Sequence, residues 1–293
     1  MGIRTTDLVD PEIGMHLSLP FSTGLASQEY LVAEEGVIRA HEEGCSHWYI
    51  DLSLPSDHTH QWTAVRTRAL ISMAKNLGVR PIVHGNFRAP LATEIPEIRS
   101  GVLDYMGREI DLAGDLGAPL IVHGGSLVDP RPTESARWSA LQRFIDFMEQ
   151  LCQTAESVGV EIWVENLSHY PRYRPFTYVF TRYADYVALR ERLPEIGLIF
   201  DVGHANVNQK YPLQIFRDFG RSIKAVSVSD NDGRSDAHLG LGRGSVPVGE
   251  FVALLGETEW TGVVAFETRG TPVEDGVRDL RHIWDQLGLA DPA

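Results

Sequence analysis

The chain has 293 residues, 43% of them apolar and 23% charged, and its 26 Lys and Arg against 40 Asp and Glu leave a net charge of −14. That is the composition of a soluble globular protein with a substantial core, and a field of this sign repels phosphodiester backbones, which sets nucleic acid aside as a partner. Cys45 and Cys152 are too few for a disulfide framework, no apolar run approaches about 18 residues, and the first residues, with Asp7, Asp10 and Glu12, lack an export pattern, so a cytoplasmic protein off the membrane is expected.

Residues 13–19 read as a first strand closed by Pro20, and Ser27 as the N-cap of a helix reaching about Glu43. A second strand is expected at 47–53. The helical pattern of 57–76 closes on Gly78 as its C′ residue, and 80–85 form a third strand with His84 at its end. A helix over about 95–116, with Leu103, Met106, Ile110 and Ala113 on one stripe, leads to a fourth strand at 118–123. Beyond Pro130 and Pro132, the residues Leu141, Phe144, Ile145, Met148, Cys152 and Ala155 follow helical spacing. Strand five is 160–165, and its long loop, 167–176, is rich in Tyr, Arg and Pro. Then come a helix at 178–192, strand six at 197–201, a short helix near 212–219, and strand seven at 223–229. A polar loop runs on to Val246, Pro247 stands as N1 of the next helix, strand eight is 262–267, and a last helix covers 274–287.

Eight strand–helix units recurring at roughly 30 to 40 residues predict a single (β/α)₈ TIM barrel occupying 1–293. The rival open doubly wound sheet lacks its Gly-x-Gly-x-x-Gly fingerprint here. In such a barrel the C-terminal strand ends share one face. They carry His84, His123, Glu165, Asp201, His204 and Glu267, and the loop after strand seven adds Asp236 and His238. Imidazole nitrogens with carboxylate oxygens are the ligand set of zinc, manganese, iron or cobalt, whereas magnesium and calcium favour oxygen alone. Asp201-x-x-His204 is a common tetrapeptide and gains its specificity from the other strand-end ligands.

Asp201-Val-Gly-His204-Ala-Asn206, the run from Asp230 to Gly244 that contains Asp236 and His238, and Glu267 resemble the xylose isomerase-like TIM barrels. That superfamily holds sugar phosphate isomerases and epimerases together with the endonuclease IV type of abasic-site nuclease. The resemblance implies a divalent ion (Mn²⁺, Co²⁺, Mg²⁺ or Zn²⁺) held by Glu165, Asp201, a strand-seven His and Glu267. Ser227 stands at the strand-seven position, and a neutral hydroxyl is a poor ligand, reaching an ion at best through water. Three carboxylates with water still offer a weak site. The resemblance also implies alternative ion positions: His84, His123 and Glu165 are similar to the nuclease branch's first zinc site, and His204, Asp236 and His238 to its third. Loss of the metal and of the activity is the remaining alternative.

The activity implied is isomerisation or epimerisation of a small polyhydroxylated substrate, with Glu165 and Glu267 moving protons beside a carbonyl. Arg243, Arg269, Arg88, Arg172 and Arg174 could neutralise a phosphate or carboxylate on that substrate, or make ordinary surface ion pairs. Trp62, Phe21 and Trp138 could wall the pocket or simply pack. His16 reads as a core histidine, and Asp236 with His238 could be a loop-stabilising pair. A metal hydrolase of phosphate esters and a ligand-binding protein with a degraded site are the competing functions. Exposed barrel ends commonly pair, so a homodimer or homotetramer is expected.

Overall fold

A computed structural model describes residues 22–26, 31–128, 133–169, 176–208 and 213–290. Its strands are β1 (Ser22–Leu25), β2 (His47–Asp51), β3 (Arg80–His84), β4 (Leu120–His123), β5 (Ser126–Val128), β6 (Ile162–Glu165), β7 (Phe176–Tyr178), β8 (Gly197–Asp201), β9 (Ile223–Val228) and β10 (Val263–Phe266). Eight of them close a parallel barrel in the order β1-β10-β9-β8-β6-β4-β3-β2, and β5 pairs antiparallel with β7 beside it. The helices are α1 (Ala33–Glu42), α2 (Ala64–Leu77), α3 (Pro96–Leu116), α4 (Glu134–Val158), α5 (Tyr183–Arg192), α6 (Val202–Asn208), α7 (Leu213–Phe219), α8 (Val248–Glu257) and α9 (Val273–Gln286).

Alternation along each strand sorts the core into two bodies. Trp48, Ile50, Val83, Leu120, Val122, Val164, Leu198, Phe200, Val226, Val264 and Phe266 belong to the large core that also contains the helices. Tyr49, Ile82, Ile121, Trp163, Ile199, Ala225 and Ala265 form a separate cluster, the plug inside the barrel. Two residues beyond each plug residue, hence on the same inward face, stand Asp51, His84, His123, Glu165, Asp201, Ser227 and Glu267. The strand period of two thus delivers one polar layer to the barrel mouth. Trp163 on β6 belongs to this plug.

Helix ends follow local chemistry. Gly78, Gly117 and Gly159 close α2, α3 and α4 with φ of 69°, 63° and 74°, a left-handed cap that glycine adopts without strain. Thr63 and Thr133 cap α2 and α4 by accepting from the backbone N–H of Arg66 and Ala136.

Several boundaries differ from expectation. The first barrel strand is Ser22–Leu25; the segment 13–19 and His16 lie outside the described residues. Ser22, Thr23 and Gly24 carry no apolar run, and their strand character comes from pairing with β10 and β2. Helix α1 begins at Ala33, whose N–H donates to the buried Asp57 carboxylate at 3.0 Å, a cap supplied from 24 residues away. The expected helix start at 178 gives way to β7, with α5 beginning at Tyr183. Pro247 is the N-cap of α8 rather than its N1 residue. Helix α6, which follows β8 without a loop, has no counterpart in the expected elements.

Candidate metal and catalytic site

Three strand ends bring the first donor group together. His84 Nε2 lies 3.1 Å from His123 Nε2, and Glu165 Oε2 lies 3.3 Å from His123 Nε2 and 3.8 Å from His84 Nε2. In a tetrahedral site with metal–donor bonds of about 2.0–2.1 Å, neighbouring donors stand roughly 3.3 Å apart, so these atoms already outline a coordination edge. Behind His84, Asp51 Oδ1 lies 3.6 Å from Nδ1, the carboxylate–imidazole arrangement that aims a ligating histidine. Sequence reading did not single out Asp51, although it ends an apolar strand just as Glu165 does.

A second group lies across the mouth. Asp201 Oδ1 accepts from the His204 backbone N–H at 2.6 Å, which caps the first turn of α6 and leaves Oδ2 3.3 Å from His204 Nδ1. His204 Nδ1 also donates to the Asn166 carbonyl at 2.9 Å, which directs Nε2 at Asp236 Oδ2, 3.1 Å away. His238 repeats the pattern: Nδ1 donates to the Glu267 carbonyl at 2.8 Å, and Nε2 lies 3.1 Å from the same Asp236 oxygen. Two imidazoles whose other nitrogen is held by a backbone carbonyl thus meet at one carboxylate oxygen. Glu165, Asp201 and His204 also offer ligand atoms within 4.8 Å of one another and link the two groups. The donor set therefore fits zinc or manganese better than a hard all-oxygen cation.

The loop bearing Asp236 and His238 is built by Asp230. Its carboxylate accepts from the N–H groups of Asn231, Gly244 and Val246 at 2.8, 2.8 and 3.0 Å, and its backbone pairs with Leu239. This part of the long motif organises the loop, and His238 holds a left-handed φ of 49° within it.

Charge in the mouth is strongly coupled. Burial pushes Asp201 up to about 8; His204 pulls it down, while Glu267, Asp236 and Glu165 add to the rise. Burial opposes the charge on His84, but Asp51, with Glu165 and Glu267, outweighs it and lifts His84 to about 9. Burial and the nearby His84 lower His123, which suits a neutral ligand. Burial raises Asp236, yet His204 and His238 hold its carboxyl below the ordinary range. For Glu165 burial is likewise outweighed, by His123, His84 and His204, and the carboxyl is lowered; for Glu267 burial and Glu165 raise it.

Ser227 is fully buried and donates to Glu165 Oε1 at 3.4 Å. Trp62 lies beneath the Arg66 guanidinium, 4.2 Å from ring centre to carbon, and donates to the Asp57 carbonyl. Arg243, Arg269 and Trp138 are exposed, and the Arg269 N–H donates to the His238 carbonyl at 2.8 Å. Phe21, Arg172 and Arg174 lie outside the described residues. Buried Cys45 and half-buried Cys152 have thiols pushed up by burial to about 12 and about 11, so both are inert packing residues.

A family model described as xylose isomerase-like TIM barrel matches residues 39–287. An uncharacterized protein of Methanocaldococcus jannaschii is 22% identical over 277 residues, spanning 93% of this chain and 92% of its own. The fructoselysine 3-epimerase of Shigella flexneri is 24% identical over 161 residues, 53% of this chain and 54% of that protein. A solved D-tagatose 3-epimerase-like protein superposes with a TM-score of 0.72 at 20% identity, over 92% of this chain and 97% of that one, a likeness of fold.

Proposed function

The chain belongs to the xylose isomerase-like TIM barrel family, and from that premise we propose that it is a divalent-metal-dependent isomerase or epimerase of a small polyhydroxylated ketone or sugar. The observation that carries this reading is the placement of Glu165 and Glu267 in one inward layer. Glu165 ends β6 and Glu267 follows β10, three steps apart around an eight-strand ring, so the two carboxylates look at each other across the mouth. Their environments push them apart: Glu165 is lowered and Glu267 is raised. A pair tuned in opposite directions is what acid and base assignments require. Glu165, ionised and steadied by the Ser227 hydroxyl, removes the proton beside the carbonyl. Glu267, the readier proton carrier, returns one from the other face, which inverts the carbon. A divalent ion, when bound by the histidine–carboxylate groups, supplies positive charge for the enediolate oxygens. The 3-epimerase activity by which the Shigella relative is known supports the same class.

Glu165→Gln and Glu267→Gln test the pair. Each is expected to slow exchange of the substrate's α-proton with D₂O by about 10²–10⁴-fold, without loss of fold by circular dichroism. Unchanged exchange in both variants would sink the reading. The His204–Asp236–His238 group favours a second function, hydrolysis of a phosphate ester at a multinuclear centre. Elemental analysis of the purified protein separates the two: one ion per chain favours the isomerase, two or three zinc ions the hydrolase.

A further inference from the structure

The turn that follows β3 carries a guanidinium beside the strand ends of the mouth. Arg88 N–H donates to the Asn86 side-chain oxygen at 3.1 Å and the Ala89 N–H to the Asn86 carbonyl at 3.0 Å, a turn built around Asn86. Asn86 is itself anchored from below: its N–H donates to Glu109 Oε1 at 3.1 Å and its side-chain amide to the Tyr105 hydroxyl at 3.2 Å. Glu109 is fully buried on α3, and a buried carboxyl persists only where it organises something. Above the turn, the Arg88 guanidinium carbon lies 4.8 Å from the centre of the Phe87 ring, and that ring lies 6.1 Å from the ring of His123. The guanidinium is thus no more than about 11 Å from a site imidazole, within the length of an extended hexose phosphate. One of its nitrogens donates to the Ser53 carbonyl at 2.8 Å, and Ser53 N–H in turn donates to Asp51, the residue behind His84.

This cation is held in place yet unneutralised. Arg39, Arg66, Arg137, Arg182, Arg192, Arg278 and Arg281 each pair with a carboxylate. Arg88 pairs with none among the described residues, in a chain where acids outnumber bases 40 to 26. An anionic ligand approaching a mouth lined by Asp51, Glu165, Asp201, Asp236 and Glu267 meets repulsion that a fixed cation at the rim relieves.

We propose that Arg88 is a specificity-determining residue that binds a phosphate or carboxylate group at the end of the substrate remote from the carbons between Glu165 and Glu267. The inference rests on the epimerase reading and adds the substrate class: an anionic sugar. Stacking on Phe87 and the Ser53 bond restrict the side chain, so little freedom remains to be lost on binding.

The test is titration calorimetry of the metal-loaded protein with ketopentoses and ketohexoses in three arms: neutral, with a terminal phosphate, and with a terminal carboxylate. Wild type is expected to bind one anionic arm about tenfold to a hundredfold more tightly than the neutral parents, the range of a charge-assisted hydrogen bond. That arm identifies the anion. Arg88→Gln should erase the gain and leave neutral-sugar affinity unchanged, and Arg88→Lys should retain part of it. Because Arg88 is exposed, equal thermal midpoints are expected for all three proteins. Neutral sugars bound and turned over with no anionic gain, or a gain that survives in Arg88→Gln, overturn the inference and leave the epimerase reading standing. Absence of binding and turnover in every arm overturns that reading and this inference together.

Discussion

Ser227 occupies the inward layer two residues beyond the plug residue Ala225, in register with Asp201 on β8 and with Ala265 on β10. Its hydroxyl steadies Glu165 but brings no strong lone pair to an ion. Ser227→His should therefore raise affinity for Mn²⁺ or Zn²⁺ by about tenfold or more, the scale on which metal-site shells act, measured by competition with a chelating dye. An unchanged affinity would show that the ion is held by the His84 and His204 groups without this position. His84, His123, Glu165, Asp201 and Glu267 were legible in the sequence because each interrupts or closes an apolar run with a group too polar to bury idly. Asp51 obeys the same rule and escaped notice, since a carboxylate followed by Leu-Ser-Leu-Pro also reads as a turn opener. Contacts from Trp62, Arg243 and Arg269 depend on loop shape, which residue type does not encode; Trp62 turned out to pack beneath Arg66.

The elements above the site are pinned by one buried ion pair. Arg137 on α4 pairs with Asp185 on α5, whose Oδ2 also accepts from the N–H groups of Thr181 and Arg182 at 2.8 and 3.0 Å. That carboxylate fixes the turn containing Phe180, at a φ of 63°, and the turn seats Val179 N–H on the Gly125 carbonyl just beyond His123. Asp185→Ala leaves the Arg137 charge buried without compensation, and the expected loss of stability is about 3–5 kcal/mol by urea denaturation. A loss below about 1 kcal/mol, the range of exposed pairs, would mean that water reaches Arg137. The long helices and most barrel strands were legible because their apolar periods repeat over many residues. The two-stranded sheet of β5 and β7 was not: each strand has three residues, and their pairing is specified by the ion pair and turn above rather than by their own pattern. Strand β1 is alike, a polar segment recruited by its neighbours. Helix α6 arises from the Asp201 cap, whose role as a ligand candidate masked its role as a helix starter.

At the scale of the whole molecule, the recurrence of strand–helix units made the barrel legible, and closure then concentrates ionisable groups where proton binding and folding are linked. In the metal-free protein Asp201, raised to about 8, and His84, raised to about 9, keep protons that the unfolded chain has released. The unfolded values are about 3.9 and 6.5, so each group stabilises the fold below its unfolded pKa, and that contribution is lost as pH rises through its folded pKa. Glu267 and His238, both raised, have the same sign, as do the two buried thiols in the alkaline range. The depressed groups Asp51, Asp236, Glu165 and His123 act in the opposite sense, but their windows lie below about pH 6.5, leaving nothing in the mouth to oppose the loss between pH 7 and 8.5. Stability of chelator-treated protein should therefore decline across that interval. A bound ion takes the place of the displaced protons and gains affinity as they leave, and tighter binding to the native state raises its stability. Calorimetric midpoints with Mn²⁺ and with chelator should thus diverge steadily from pH 7 to 8.5. Parallel curves would mean that these carboxylates and imidazoles do not share a metal.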